Sequence, residues 1–211
     1  MIGVITGDIM NSKSVPTPVW LEPLRAMLAE LGREPEQWQV YRGDSFQLEV
    51  ADATSLLEKA MLIKAGIKML KNLDVRLGLG IGAKSYSANK VTESNGDAFV
   101  FSGTVFETLR KEKRTMAVRS PWSYFDEEIN VGLSLACAIM DRWLPNYAEV
   151  MRFTLLNREL TQEKLGKIMN IAQNTVSDRQ SRAFKDELLS FETLFRKKVR
   201  RYIELTDKRG T

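Results

Sequence analysis

Apolar periodicity predicts an α+β fold, with strands confined to the N-terminal part of the chain and helices alone beyond it. Three observations carry this. Strand-like and helix-like runs follow one another in the order β-α-β-β-α-β-α-β as far as Arg119. After Pro121 only helical periodicity remains. The 211 residues exceed what one small sheet domain needs, which leaves room for an appendage.

Met1–Thr6 is a short apolar run ending at Gly7, as in a buried strand. Trp20, Leu21, Leu24, Met27, Leu28 and Leu31 recur at helical spacing, with Gly32 placed to stop the helix. Gln37–Tyr41 and Phe46–Val50 alternate polar and apolar residues around Arg42-Gly43-Asp44-Ser45, the pattern of a hairpin. Leu56, Leu57, Ala60, Met61, Ile67 and Leu70 mark a second helix. Val75–Ile81 reads as a strand, Ala98–Leu109 as a third helix and Thr115–Arg119 as a last strand. This order describes a ferredoxin-like or palm sheet with helices on one face. Helical segments follow at Glu127–Leu144, Tyr147–Leu156, Gln162–Met169, Gln173–Phe184 and Glu187–Ile203. The boundary falls near Ser120–Asp126, so that residues 1–122 and 123–211 form the two expected units.

Composition narrows the chemistry. The absence of histidine excludes His-based zinc sites and triads, and the single cysteine, Cys137, excludes an internal disulfide. Cys137 is expected to be a small buried helix residue. Any metal must be held by oxygen. The first charged residue is Asp8, so no positive leader region precedes it, and the apolar stretch Ile129–Met140 is too short to span a bilayer. A soluble cytoplasmic protein without a membrane partner is expected. The net charge of +4 is unevenly spread. From Met151 onward 14 Lys/Arg face 8 Asp/Glu, while the first 150 residues hold 17 and 19, which points the second unit toward a polyanion. A solvated basic helix would show the same split.

Asp8 follows the first strand and Asp44 caps the hairpin. If that strand lies beside the hairpin, the two carboxylates converge at one end of the sheet. Paired carboxylates repel unless a cation neutralises them, and Mg²⁺ or Mn²⁺ accepts such ligands together with phosphate oxygens. Free amides of Ile9, Met10, Asn11 and Ser12, with Lys13 beside them, can meet a phosphate. Turn aspartates that bond their own backbone are the alternative.

Asp8 after a first strand, Gly43-Asp44 in a hairpin, Arg76-Leu-Gly-Leu-Gly-Ile-Gly82, and Asn95-Gly96-Asp97-Ala98 opening a helix together resemble the catalytic domain of class III nucleotidyl cyclases. The hairpin distantly resembles the GGDEF diguanylate cyclase loop. Over essentially its full length the chain resembles the SatD family, bacterial proteins joining a cyclase-like domain to a helix-turn-helix. The resemblance implies that Asp8 and Asp44 hold metal ions on a nucleoside triphosphate. The sequence also departs from the cyclase pattern. Val100 falls where an active enzyme carries asparagine, Thr104 falls where it carries the transition-state arginine, and Gln37–Tyr41 lacks the adenine-selecting lysine. Missing such a preorganised donor weighs against turnover, although Lys13, Lys84 or Lys90 from loops would be substitutes. Gly78, Gly80 and Gly82 lack dinucleotide-fingerprint spacing and instead share one strand face, open to close approach by a helix or ligand.

Leu160–Ser177 fits a helix-turn-helix. Thr161 caps its first helix, Leu165, Ile168, Ile171 and Val176 form a shared core, and Gly166 allows the helices to cross. The segment resembles the Thr-Gln-Glu…Gln-x-x-Val-Ser pattern of bacterial regulators. On DNA, Gln162 would touch phosphate while Gln173, Asn174, Ser177 and Ser181 face the major groove. Arg179, Arg182, Lys185 and the run Arg196-Lys197-Lys198-x-Arg200-Arg201 would contact phosphates. Asp178, on the same outward face, opposes them. Leu188, Phe191, Phe195, Val199 and Tyr202 form a stripe expected in the core, and a homodimer is expected because such readers bind paired half-sites. The expectation is a DNA-binding transcriptional regulator with a nucleotide- and metal-sensing cyclase-like domain. The alternatives are an active nucleotidyl cyclase or related pyrophosphate-releasing transferase, and a non-catalytic scaffold for protein assembly.

Overall fold

A computed structural model describes residues Met1–Lys208. Five strands, β1 Ile2–Met10, β2 Trp38–Tyr41, β3 Ser45–Val50, β4 Asp74–Gly82 and β5 Met116–Arg119, form one mixed sheet in the order β2-β3-β1-β4-β5. The central β1 is antiparallel to β3 and β4, and β5 runs parallel to β4 at the edge. Eight α-helices among the described residues complete the α+β chain: α1 Thr17–Leu31, α2 Leu56–Lys68, α3 Asp97–Leu109, α4 Ser123–Met140, α5 Pro145–Leu156, α6 Gln162–Met169, α7 Gln173–Arg182 and α8 Lys185–Asp207. None of them is long and apolar enough to cross a membrane.

The element order is the expected one, but β1 is longer. Its ladder with β4 continues to Met10 opposite Asp74, so Asp8 lies inside the strand rather than beyond its end. The expected placement of helices on one face is also corrected. Gly3, Ile5 and Ile9 of β1 face α2, whereas Thr6 bonds the hydroxyl of Ser102 on α3 at 3.0 Å across the opposite face. Residues 3–7 are buried without interruption, because helices cover β1 from both sides. Gly78, Gly80 and Gly82 all face α3, and a β-carbon on Gly80 would overlap the Ala98 carbonyl oxygen. Close helix-to-sheet contact is therefore what these glycines permit.

One buried apolar cluster runs from Ile5 and Leu79 in the sheet through α2, α4 and α5 to Val176, Phe195 and Val199. Leu188, Phe195 and Val199 are core, as expected of their stripe, with Phe191 and Tyr202 packed against it. Cys137 is buried, and burial pushes its thiol up from the usual value. Within this core lies a charge. Lys64 of α2 is fully buried and donates to Asp74 at 2.6 Å and to Asp141, just past α4, at 2.5 Å. Burial alone would push its ammonium down, but the two carboxylates more than offset that and hold it above the ordinary lysine value. Thr115 donates to the same Asp141 carboxylate at 2.8 Å. The network therefore ties α2, β4, the start of β5 and the end of α4 together.

Candidate functional site

Three strands position the first candidate site. Asp8 lies across from Ser45 on β3 and Arg76 on β4, and the Ile9 amide donates to the Asp44 carbonyl at 3.1 Å. The ladder thus brings the Asp44 turn against β1, and both aspartates stand at one end of the sheet. Arg76 was not anticipated at this site. Its Nε donates to Asp8 Oδ1 at 2.9 Å and its Nη2 to Asp8 Oδ2. This fork, helped by the charge of Asp44, raises the guanidinium above its usual value. Ser12 Oγ donates to Asp44 Oδ2 at 2.5 Å. The only hint of Arg76 in the sequence was a charged residue interrupting the apolar run Val75–Ile81.

Chemically, two carboxylates and a hydroxyl form a hard-oxygen set suited to Mg²⁺ or Mn²⁺. Among the described residues no cluster of three or more Asp, Glu or Cys joins them. The Arg76 guanidinium already neutralises Asp8, so a divalent ion suits Asp44 and Ser12 directly and Asp8 only in competition with Arg76. The segment expected to meet a phosphate has fewer free amides than the sequence suggests. Ile9 spends its amide on Asp44 and Met10 belongs to the ladder, which leaves Asn11, Ser12 and Lys13 in the loop. Asn11 has a left-handed φ of 63° and donates its side chain to the Asn72 carbonyl at 3.3 Å. Next to Asp8, the sheet face over β2 and β3 carries half-buried Gln39, Tyr41, Ser45, Gln47 and Glu49, a polar floor beside α3. On α3 itself, Val100 and Thr104 are exposed, and the Thr104 hydroxyl bonds back to the Val100 carbonyl. The loop lysine Lys84 is held by Glu49 at 2.7 Å, and Lys90 lies by Glu93.

The second candidate site is built on α6 and α7. Thr161 caps α6 by accepting from the Lys164 amide, and Asn170 ends it in the left-handed region. A β-carbon on Gly166 would press on the Ile171 carbonyl oxygen, so a close crossing needs glycine there. Leu165 and Val176 are buried at the crossing. Ile168, expected in that core, is 53% exposed. The seam is centred between Leu165, Gly166 and Met169, and a three-residue step from Leu165 turns Ile168 away from it. A buried polar chain lies under α7: Gln162 Nε2 donates to Gln180 Oε1, and Gln180 Nε2 donates to Thr154 Oγ1, both at 2.9 Å.

Gln162, Gln173, Asn174, Ser177 and Ser181 line one shallow concave surface around α7, with Asp178 among them. Arg179 and Arg182 do not join it freely. Arg179 turns to Glu149 on α5 at 3.0 Å, because its step around α7 points it back toward the helical core. Arg182 Nε lies 3.0 Å from both oxygens of Asp178 and so masks the carboxylate that the sequence sets against the expected phosphate contacts. The C-terminal basic run is likewise partly engaged. Arg196 is shared by Glu58 of α2 and Glu192, and Lys198 pairs with Glu128 of α4. Arg152 and Arg158 also reach back, to Glu30 and Glu58. Much of the uneven charge thus joins the two halves of the chain to each other.

A cleft of about 520 Å³ opens beyond the end of β1, lined by Asn11, Lys68, Lys71 and Trp143 among others. The Trp143 indole nitrogen donates to the Ala183 carbonyl, at the C-terminal end of α7, at 3.1 Å. Compared with known proteins, the chain matches no family model and no curated sequence.

Proposed function

We propose that this protein is a DNA-binding regulator, active as a homodimer in the cytoplasm, whose α6–α7 pair is a helix-turn-helix. Its sheet domain would carry a nucleotide site at Asp8, Asp44 and Arg76. The observation that carries the first part is the gathering of Gln162, Gln173, Asn174, Ser177 and Ser181 on one open surface above the buried Leu165–Val176 crossing. Amides at the start of a recognition helix pair bidentately with adenine, and hydroxyls one and two turns further can reach neighbouring base edges. Anisotropy with fragmented genomic DNA tests this. Binding is expected at low ionic strength, with log K falling linearly against log salt. No binding at low salt would remove the DNA reading.

For the sheet, the ferredoxin-like palm reading rests on the pairing β2-β3-β1-β4, with the first strand between the third and fourth and β5 added outside. A divalent ion there would neutralise the carboxylates around a triphosphate. Asp44 and Ser12 would hold it, and Asp8 would join when its fork to Arg76 opens, leaving the guanidinium to meet phosphate oxygens. Removing the competitor should therefore strengthen metal binding. Arg76→Ala is expected to raise Mn²⁺ affinity about tenfold in calorimetry, and Asp44→Ala to abolish it. Equal affinities in wild type and both variants would place Mn²⁺ elsewhere. The cleft from Asn11 to Trp143, and from there to Ala183, supplies a contiguous route from this site to the end of α7.

One observation favours the enzymatic alternative. Arg76 provides, next to both aspartates, a cation for departing pyrophosphate that α3 lacks. Pyrophosphate release from any nucleoside triphosphate with Mn²⁺, lost in both Asp44→Ala and Arg76→Ala, would establish that reading instead.

A further inference from the structure

An apolar strip remains on the outside of the helical region. Tyr124, Val131 and Leu135 of α4 are 76%, 65% and 67% exposed, and Leu194 and Leu205 of α8 are 46% and 43% exposed. These five residues fall along one side of an adjacent helix pair. The helices run antiparallel, with Trp122 bonded to Thr206, Glu128 to Lys198, and Gly132 against Phe191. At 100° per residue, Tyr124, Val131 and Leu135 project from the flank of α4 next to Glu128. By the same step Leu194, Arg201 and Leu205 project from the flank of α8 next to Lys198. The strip therefore has Tyr124 beside Leu205 at one end and Val131 and Leu135 beside Leu194 at the other. Exposed apolar patches edged by polar residues mark association surfaces, and here charged residues lie between the two apolar ends.

The charges select the occupant. The α4 side carries Glu127 and Glu128, and the α8 side carries Lys197, Lys198 and Arg201, all but Lys198 exposed. We infer that this face pairs with a second copy of the chain about a two-fold axis parallel to α4 and α8, so that α4 of each protomer lies over α8 of the other. Only that axis sets acidic residues over basic ones at the same height, Tyr124 over the partner's Leu205 and Val131 over the partner's Leu194. A two-fold across the helices would set Glu127 and Glu128 against themselves, which costs energy. The inference specifies the face and symmetry of the homodimer proposed above, and it does not require that DNA be bound.

Light scattering and charge exchange test it. The full chain, 24.0 kDa as a monomer, is expected to elute as a dimer at micromolar concentration, and Val131→Asp/Leu135→Asp as a folded monomer by circular dichroism. Glu127→Lys/Glu128→Lys and Lys198→Glu/Arg201→Glu chains should each be monomeric alone and form a one-to-one dimer when mixed. The axis is read by crosslinking: a Val131→Cys chain is expected to form a disulfide with a Leu194→Cys chain, and not with itself. A monomeric wild type, or a dimer indifferent to Val131→Asp/Leu135→Asp, overturns the inference. Crosslinks confined to identical Val131→Cys chains overturn the axis. A monomer that still binds DNA would sink the pairing and spare the reader, and a dimer that ignores DNA would do the reverse.

Discussion

Lys64→Met is expected to destabilise the folded protein by about 3–5 kcal/mol, because it removes the buried ammonium from Asp141 and leaves Asp74 with only the longer contact to Lys68 at 3.5 Å. For a chain of this size the midpoint of thermal unfolding should fall by roughly 6–20 °C. The cause is local. The Lys64 ammonium has no access to water, and Asp74 and Asp141 both point at it. Combining the change with Asp74→Asn and Asp141→Asn should recover part of the loss, since the uncompensated carboxylates are then gone. The pH dependence follows from the raised folded pKa of Lys64. A group raised on folding contributes fully below its unfolded value, about 10.4, and loses that contribution as pH climbs through the folded value. The gap between wild type and Lys64→Met should therefore stay flat from about pH 6 to 9 and close only in strong alkali. A loss below about 1 kcal/mol would mean that the network is worth no more than a surface ion pair.

The second large effect concerns the α7 surface. If Gln173 and Asn174 read bases, Gln173→Ala/Asn174→Ala removes two contacts, each worth about 1–3 kcal/mol. Affinity for the tightest-binding genomic fragment should then fall at least about thirtyfold at fixed salt. Neither side chain is assigned to phosphate, so the salt slope should stay as in wild type. Unchanged affinity with a shallower slope would show that α7 meets only the backbone. Both residues are exposed, so the fold should tolerate the change.

These two regions differ in how far they could be read in advance. The limits of α6 and the start of α7 were legible, because caps, a small crossing residue and a short helical period are local features. The fates of Arg179, Arg196 and Lys198 were not. A charged side chain on a helix reads the same whether it faces solvent or an acidic neighbour distant in sequence, and only the packing of α8 on α2 and α4 brought Glu58 and Glu128 within reach. Lys64 was hidden for the same reason, since its partners lie 10 and 77 positions away.

At the sheet end the division is sharper. From pattern alone came the strand order along the chain, the two aspartates after glycines, and a glycine face on β4 open to a helix or a ligand, because each follows from steric limits on a few consecutive residues. Which cation neutralises Asp8, how far β1 runs, and which faces of the sheet are covered were settled only by the ladder and the helices above and below it. Registers and ion pairs depend on which segments meet across the sheet, and a linear sequence records neighbours along the chain, not across it.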